Sequence, residues 1–242
     1  MADEHLAAPA TAAPSAVGDG ADPGPATSFF DPRVIQVRST EHWSLLSARS
    51  LVYHEAFTRG GMVLAFLSAS WVALALVAQA VGVDREFQVA ATLILAFDLV
   101  LGLTTYARII RANQEDYLAV RGMARIRHVY TEIAPPIAPI LVSSIHDDPR
   151  GVMISYASPP EGGMASMVYA MSTSGGMIML ITSMIAGVLM FTIGMLVGAP
   201  TAPAVVAGVI AAVAVIAVLA QASRRFFASA QRDLDVRYPS PD

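Results

Sequence analysis

The sequence predicts an all-α integral membrane protein with four transmembrane helices, cytoplasmic helical extensions on the first two, and a cytoplasmic loop region. Three observations carry this prediction. Hydrophobic residues make up 55% of the 242 residues and charged residues only 14%, whereas soluble domains contain about 25% charged residues. Three long stretches of the chain carry at most one charge each. The 15 basic residues are all arginines, and they are distributed unevenly around these stretches.

The first two spans form a predicted transmembrane hairpin over residues 60–110. Residues 60–83 are uncharged, and Asp84 begins a short polar turn after them. The second span covers residues 87–107, which contain one charge, Asp98. At about 1.5 Å per residue this span is roughly 31 Å long, which matches the hydrocarbon core of a bilayer.

The third and fourth spans form a second predicted hairpin over residues 174–223. No charged residue occurs from Gly162 to Ser223, and this stretch of 62 residues is too long for one span but suits two. The segment 198–203, which contains glycine and proline, separates the two spans.

Four segments are predicted to lie outside the bilayer. Residues 1–28 are rich in Ala, Pro, Gly and Asp without apolar periodicity, so we predict a disordered tail. That tail lacks the basic start and apolar run of a signal peptide, and the first span is therefore expected to direct insertion. Residues 29–59 are predicted as a cytoplasmic amphipathic helix, 111–173 as a cytoplasmic helix and loop region, and 224–242 as a cytoplasmic tail.

The amphipathic helix is expected to begin after an N-cap at Ser39 or Thr40. Semi-apolar side chains recur along it at steps of three or four residues: Trp43, Leu46, Ser50, His54 and Phe57. We interpret this face as packing on the cytoplasmic ends of other helices. The alternative is a surface helix that lies among the lipid headgroups.

Residues 136–161 are predicted as a loop region. The run from Asp147 to Gly151 predicts a turn, and residues 152–156 predict a short strand. His146 with Asp147 and Asp148 is a candidate divalent-cation site. We prefer the turn, because these residue types build turns without any metal.

The arginines predict the orientation of the protein in the cell membrane. Fourteen of them lie before the first span, between the second and third spans, or after the fourth, and only Arg85 lies on the other side. Because cytoplasmic segments are enriched in basic residues, both termini and the central loop are expected to be cytoplasmic.

Asp98 is the strongest candidate for a functional residue. In the predicted topology Ser68, Ser70 and Trp71 share its depth, and all three side chains can donate hydrogen bonds. No span contains Arg, Lys or His, so the carboxyl group is either protonated and hydrogen-bonded, or ionised beside water or a cation. A structural hydrogen bond between helices and an ion or proton pathway both remain open.

Small residues predict close helix packing in the last two spans. Gly194 and Gly198 are four residues apart, as are Ala204, Gly208 and Ala212. This spacing lets two helix backbones approach each other, either within one subunit or between subunits.

A basic group follows the second span: Arg121, Arg125 and Arg127. One interpretation is a solvated helix face, and the other is contact with anionic lipid or with an acidic protein partner. Nucleic acid is not an expected partner, because Glu115 and Asp116 lie close to the basic residues.

The segment from Ala112 to Pro135, together with Arg49-Ser50-Leu51 and Glu55-Ala56-Phe57, resembles uncharacterised bacterial multi-pass membrane proteins with four spans. The resemblance covers residues 43–156. It implies an integral membrane protein, and it supplies neither a function nor catalytic residues.

The sequence contains no phosphate-binding loop, nucleophile elbow or metal-spaced histidine pair, so we expect no enzyme activity, no cofactor and no bound metal. The absence of cysteine excludes disulfides and thiol catalysis. Two functions remain. One is a homo-oligomeric channel or ion-translocating assembly that uses Asp98. The other is a structural or accessory subunit in the lipid bilayer, whose cytoplasmic segments hold a protein partner.

Overall fold

The structure, a computed structural model, describes residues 31–158, 163–232 and 235–241. Every regular element in these ranges is a helix: α1 (Pro32–Val81), α2 (Arg85–Ile133), a 3₁₀ helix (Pro135–Ile140), α3 (Pro149–Ser155), α4 (Gly163–Ser172), α5 (Ser174–Leu196) and α6 (Thr201–Arg232). The predicted all-α class is thus confirmed. The tail over residues 1–28 lies outside the described residues.

The helices α1, α2, α5 and α6 are each long and apolar enough to cross a membrane, which confirms the four predicted spans. Helix α1 has 50 residues and α2 has 49, so each is roughly 75 Å long. A bilayer needs only about 20 helical residues. Both helices therefore consist of a span and a continuous extension, and the predicted boundaries near residues 60 and 110 lie inside unbroken helices.

Helix α1 begins earlier than predicted, at Asp31 rather than at Ser39 or Thr40. Asp31 is the N-cap, and its carboxylate accepts a hydrogen bond of 2.8 Å from the backbone N–H of Arg33. Pro32 occupies the first turn, where its missing N–H costs no hydrogen bond. The two hydroxyl residues therefore lie inside the helix.

The four long helices are arranged in the order α1, α2, α5, α6. Helix α2 packs along α1 on one side and along α5 on the other, while α6 packs mainly along α5. The edge helices α1 and α6 make little contact with each other in the described part of the chain. A hydrogen bond joins α2 to α6 directly, since the Tyr106 hydroxyl donates to the Leu219 carbonyl oxygen at 3.1 Å.

Two glycines allow the close contact between α5 and α6. A Cβ atom added to Gly208 would lie 2.7 Å from the carbonyl oxygen of Gly187, and one added to Gly187 would lie 3.1 Å from the Ala212 side chain. Gly194 meets Ala204 in the same way, at 3.0 Å. Four of the five predicted packing residues therefore lie at this contact, together with Gly187, which the spacing did not indicate.

The fifth predicted packing residue, Gly198, lies in the turn between α5 and α6. Its φ is +80°, a backbone conformation that glycine adopts without steric cost. A Cβ atom at this position would meet nothing within 4 Å. Gly198 thus serves the turn rather than a helix contact.

The predicted strand over residues 152–156 is wrong, because residues 152–155 belong to α3 and Tyr156 is its C-cap. Asp148 is the N-cap of α3 and accepts a hydrogen bond of 3.0 Å from the backbone N–H of Gly151. Val152 is fully buried and packs against α2 beside Met123. The β-branched residues suggested a strand, but the Asp-Pro cap and the packing on α2 favour a helical turn.

The prediction that the Trp43 to Phe57 face of α1 packs on the other helices of the chain is also wrong. Trp43 is 65% exposed and Phe57 is 70% exposed. The side of α1 that faces α2 consists of less exposed residues: His42, Leu45, Arg49, Val52 and Ala56. The error arose because the inner side includes an arginine and a histidine: Arg49 pairs with Asp116, and the His42 ring lies beside the Tyr130 ring of α2, with 6.3 Å between the centroids.

We predict that Gly208→Ala lowers the stability of the protein by about 1–3 kcal/mol, the usual cost of overpacking a close contact. The added methyl group would meet a backbone carbonyl group of α5, so the helices must separate. Gly61→Ala is the matched control, because nothing lies within 4 Å of its added Cβ and alanine favours a helix. Thermal unfolding in a mild detergent measures both variants, and equal melting temperatures would contradict the prediction.

Candidate functional site

Asp98 lies in the membrane-spanning part of α2 and is 3% exposed. The Ser70 hydroxyl of α1 donates to Asp98 Oδ1 at 3.0 Å. The second carboxyl oxygen, Oδ2, is buried and has no hydrogen-bond partner among the described residues. Asp98 therefore joins α1 to α2 inside the membrane and retains one unpaired oxygen.

Of the three predicted neighbours, only Ser70 contacts Asp98. Ser68 donates to the carbonyl oxygen of Leu64 on its own helix, at 2.8 Å. Trp71 is 54% exposed and faces away from the contact with α2. Helical spacing explains the difference, since residues 68, 70 and 71 share a depth but point in different directions.

Helix α5 contributes a further polar group beside Asp98, the hydroxyl of Thr182. Thr182 is fully buried, and its Oγ1 has no hydrogen-bond partner among the described residues. It packs against Gly102, one turn after Asp98, where an added Cβ atom would lie 2.5 Å from Thr182 Oγ1. Two buried oxygens without a partner among the described residues thus belong to neighbouring helices, and Thr182 meets α2 one helical turn after Asp98. Thr182 was not among the predicted site residues; the glycine at position 102, one turn from Asp98, is the sequence signal of the close approach.

A second buried carboxylate, Asp116, lies about five turns after Asp98 on the same face of α2. It is 4% exposed, and Arg49 Nε and the hydroxyls of Tyr53 and Tyr156 all donate to it. Burial and the hydrogen bond to Asp116 raise the pKa of Tyr156, so the phenol stays protonated and donates. This Asp116 cluster connects α1, α2 and α3 outside the predicted spans.

An ion pair between Glu55 and Arg108, at the border between span and extension, also joins α1 to α2. Arg108 Nη2 lies 2.6 Å from Glu55 Oε2, and Arg108 Nη1 lies 3.0 Å from Glu115 Oε1. Arg59 Nε contacts Glu55 at 2.9 Å. The hydrogen bonds from Arg108 and Arg59 lower the pKa of Glu55 to about 2, so its carboxylate is charged at neutral pH.

Two of the three arginines in the predicted basic group, Arg121 and Arg125, contact a buried aspartate. Asp147 is fully buried, and Arg125 Nε contacts its Oδ2 at 2.7 Å. Arg121 Nε donates to the Asp147 carbonyl oxygen at 2.8 Å. The backbone N–H groups of Arg237 and Tyr238 donate to Asp147 Oδ1 at 3.1 and 2.8 Å. Burial raises the pKa of Asp147, but these hydrogen bonds and the Arg125 charge outweigh burial and lower it.

Asp147 thereby holds the C-terminal segment, residues 235–241, against α2 and α3. The Tyr238 ring stacks on His128 with 3.8 Å between the ring centroids. Ser240 Oγ donates to Asp148 Oδ1 at 2.8 Å. Among the described residues no group of three His, Cys, Asp or Glu side chains is arranged to hold a metal ion, and the two aspartates serve the tail and the cap of α3.

Arg127, the third member of the basic group, donates to the Ser144 carbonyl oxygen at 3.3 Å. Arg121 and Arg125 also donate to the Asp235 carbonyl oxygen. All three arginines thus donate hydrogen bonds to acceptors within the chain. Their contact with anionic lipid or a protein partner stays a prediction.

Two adjacent cavities lie where the spans meet the extensions. The inner cavity, about 770 Å³, includes Tyr53, Asp116 and Tyr156 in its lining. The outer cavity, about 1220 Å³, lies between α2, α3, α4, α5 and α6. The two cavities share part of their lining: Asn113, Met153, Ser158, Tyr169, Thr173 and Phe227.

No family model, curated protein or solved structure matches this chain.

We predict that Ser70→Ala lowers the stability of the protein by about 1 kcal/mol, the usual magnitude of a hydrogen bond between membrane helices. Asp98→Leu should have a similar effect, while Asp98→Asn retains an acceptor for Ser70 and should be tolerated. Ser68→Ala is the matched control, because its hydroxyl bonds only within α1. Thermal unfolding in detergent measures all four variants, and an equal loss for both serines would contradict the role of Asp98.

Proposed function

We propose that the protein is a structural subunit of a homo-oligomeric membrane assembly, in which copies associate through the outer face of the α1 extension. The observation that carries this proposal is an exposed stripe, defined by five residues: Trp43, Leu46, Ser50, Tyr53 and Phe57. Tyr53 lies at the edge of this stripe, since it is 42% exposed while its hydroxyl donates to Asp116, and Tyr53 and Phe57 also border the inner cavity. Such a role needs no catalytic group, cofactor or metal.

The outer stripe of α1 has the spacing of a coiled-coil seam. Its residues follow one another at intervals of three, four, three and four, as positions a and d do in a heptad repeat. Trp43, Leu46 and Phe57 are 65%, 42% and 70% exposed, outside the predicted spans. Water contact with such a contiguous apolar stripe is unfavourable, and a second helix would remove it.

The membrane favours a second copy of the chain as the partner. Insertion holds all copies in the same orientation and at the same depth, so equivalent stripes meet in parallel around a two-fold axis normal to the membrane. Ser47 and His54 occupy the flanking e positions, and Arg49 at a g position is paired with Asp116. The seam therefore lacks the flanking like charges that repel in many coiled coils.

The polar contacts behind the stripe support the same proposal. The Asp116 cluster and the Glu55–Arg108 ion pair fix the α1 extension on α2. A rigid surface loses little conformational entropy when it binds a partner. The arginine distribution supports a cytoplasmic location for the extensions and for both termini.

Cross-linking tests the proposed seam, and the absence of cysteine from the chain removes background. Ser50→Cys lies in the stripe and should form a covalent dimer when membranes are oxidised. Ser44→Cys is the matched control, since it is also exposed but lies about 120° around the helix. Leu46→Glu should reduce cross-linking through Cys at position 50, because like charges would then meet in the seam, whereas Ala48→Glu should not.

Equal cross-linking of the two cysteine variants would show random collision and overturn the proposed seam. A lack of cross-linking through position 50 would overturn it as well. If the product instead joins the chain to a different protein, the partner at this face is not a second copy.

Ion translocation through Asp98 is the second candidate function, and the two unpaired oxygens of Asp98 and Thr182 favour it. A buried polar group without a partner is costly in a membrane unless it binds a proton, an ion or water. Asp98 is enclosed within one chain, where Leu95 and Ala91 are each 2% exposed. Any ion would therefore bind inside each copy rather than on an axis between copies.

Flux measurements test this second candidate. Wild-type proteoliposomes should conduct protons or a monovalent cation under an imposed gradient, and Asp98→Asn should abolish this flux while the protein still folds. Asp84→Asn is the control, since Asp84 is exposed in the turn between α1 and α2. Wild-type vesicles that pass neither protons nor monovalent cations would eliminate the transport function and leave the structural one.

A further inference from the structure

The outer cavity crosses the border between the membrane spans and the extensions. Its inner end is lined by residues from the ends of three spans, among them Ile110, Met179 and Ala220. Its other end reaches α3 at Arg150 and α6 at Arg224, outside the predicted spans. The cavity is thus suited to an amphiphilic molecule, with the apolar part at the inner end and the polar part at the rim.

The rim of this cavity is basic. Arg224 is exposed at the rim and makes no ion pair within the described residues. Arg150 donates one N–H to the Pro241 carbonyl oxygen, so its other N–H groups remain for a ligand. The acidic residue in the described lining is Asp148, which already accepts from Gly151 and Ser240. The described lining therefore carries two guanidinium groups and one carboxylate, that of Asp148, so the net charge of these described groups is positive.

We propose that the outer cavity binds an acidic phospholipid, with an acyl chain along Ile110, Met179 and Ala220 and the phosphate on Arg150 and Arg224. Guanidinium groups pair with phosphate oxygens through two parallel hydrogen bonds. Arg224 lies at the depth of a lipid phosphate, because this group lies just outside the hydrocarbon core and Arg224 follows the end of the fourth predicted span. The charge fits as well, because basic residues near the cytoplasmic leaflet attract anionic lipids.

This site differs from the basic group that the sequence indicated. Arg121 and Arg125 are engaged by Asp147 and the C-terminal segment. Arg150 and Arg224 are far apart in sequence and separated by two predicted spans, and only the tertiary fold brings both to one cavity. The proposed lipid site does not depend on self-association, because every described residue of its lining belongs to one chain.

Lipid binding to the purified full-length protein in mild detergent tests the proposal. Native mass spectrometry should detect phosphatidylglycerol bound to each chain at least tenfold more tightly than phosphatidylcholine. Arg150→Gln and Arg224→Gln should each weaken phosphatidylglycerol binding about tenfold or more, the scale of a lost charge-assisted hydrogen bond. Arg225→Gln is the matched control, because Arg225 is exposed beside Arg224 but does not line the cavity.

A change at the apolar end provides a test that leaves the charges intact. Ala220→Trp should fill that end and reduce the binding of both lipids, provided that far-ultraviolet circular dichroism remains that of the wild type. If Arg225→Gln weakens binding as much as Arg224→Gln, nonspecific surface charge explains the affinity and the proposal fails. If glycerol phosphate competes with the lipid at equal concentration, the site recognises a free phosphate compound, and the lipid assignment is overturned.

Discussion

The buried carboxylate of Asp116 is the contact on which the part of the molecule outside the bilayer depends. A carboxylate at this depth is stable only with hydrogen-bond donors around it, and Arg49, Tyr53 and Tyr156 supply them from two other helices. Removal of one partner from such a buried pair typically costs about 3–5 kcal/mol. The Asp116 carboxylate therefore joins the extensions of α1 and α2 to α3, in addition to the Glu55–Arg108 ion pair and the packing of Val152 on α2.

Two consequences follow for the rest of the structure. Because α1 is fixed on α2 by its polar side, its apolar side faces outward, and the stripe from Trp43 to Phe57 becomes available to another copy. Because α3 is fixed beside α2, the cavities form between it and the start of α5. Both proposals for surfaces outside the spans thus derive from the same buried interaction.

The membrane part of the fold was largely predictable from sequence, because spans depend on the length and hydrophobicity of continuous segments. Four spans and helical extensions on the first two were correct, and the pairing of Asp98 with Ser70 was among the predicted contacts. The outer face of α1 was misjudged because hydrophobic periodicity identifies an apolar face without identifying its partner. The residues 152–156 were misjudged because a five-residue segment has too little periodicity to separate a strand from a helix.

The local chemistry of the chain was sufficient to establish the all-α class, the four spans and the candidate buried acid Asp98. Only tertiary structure revealed Asp116 and Asp147 as the centres of polar clusters, because their partners Tyr156 and Tyr238 are distant in sequence. Tertiary structure also assigned Thr182 to the site of Asp98 and brought two remote arginines to one cavity. Hydrophobicity acts along the chain and can be summed over a window, whereas hydrogen bonds and charge pairs depend on which helices become neighbours.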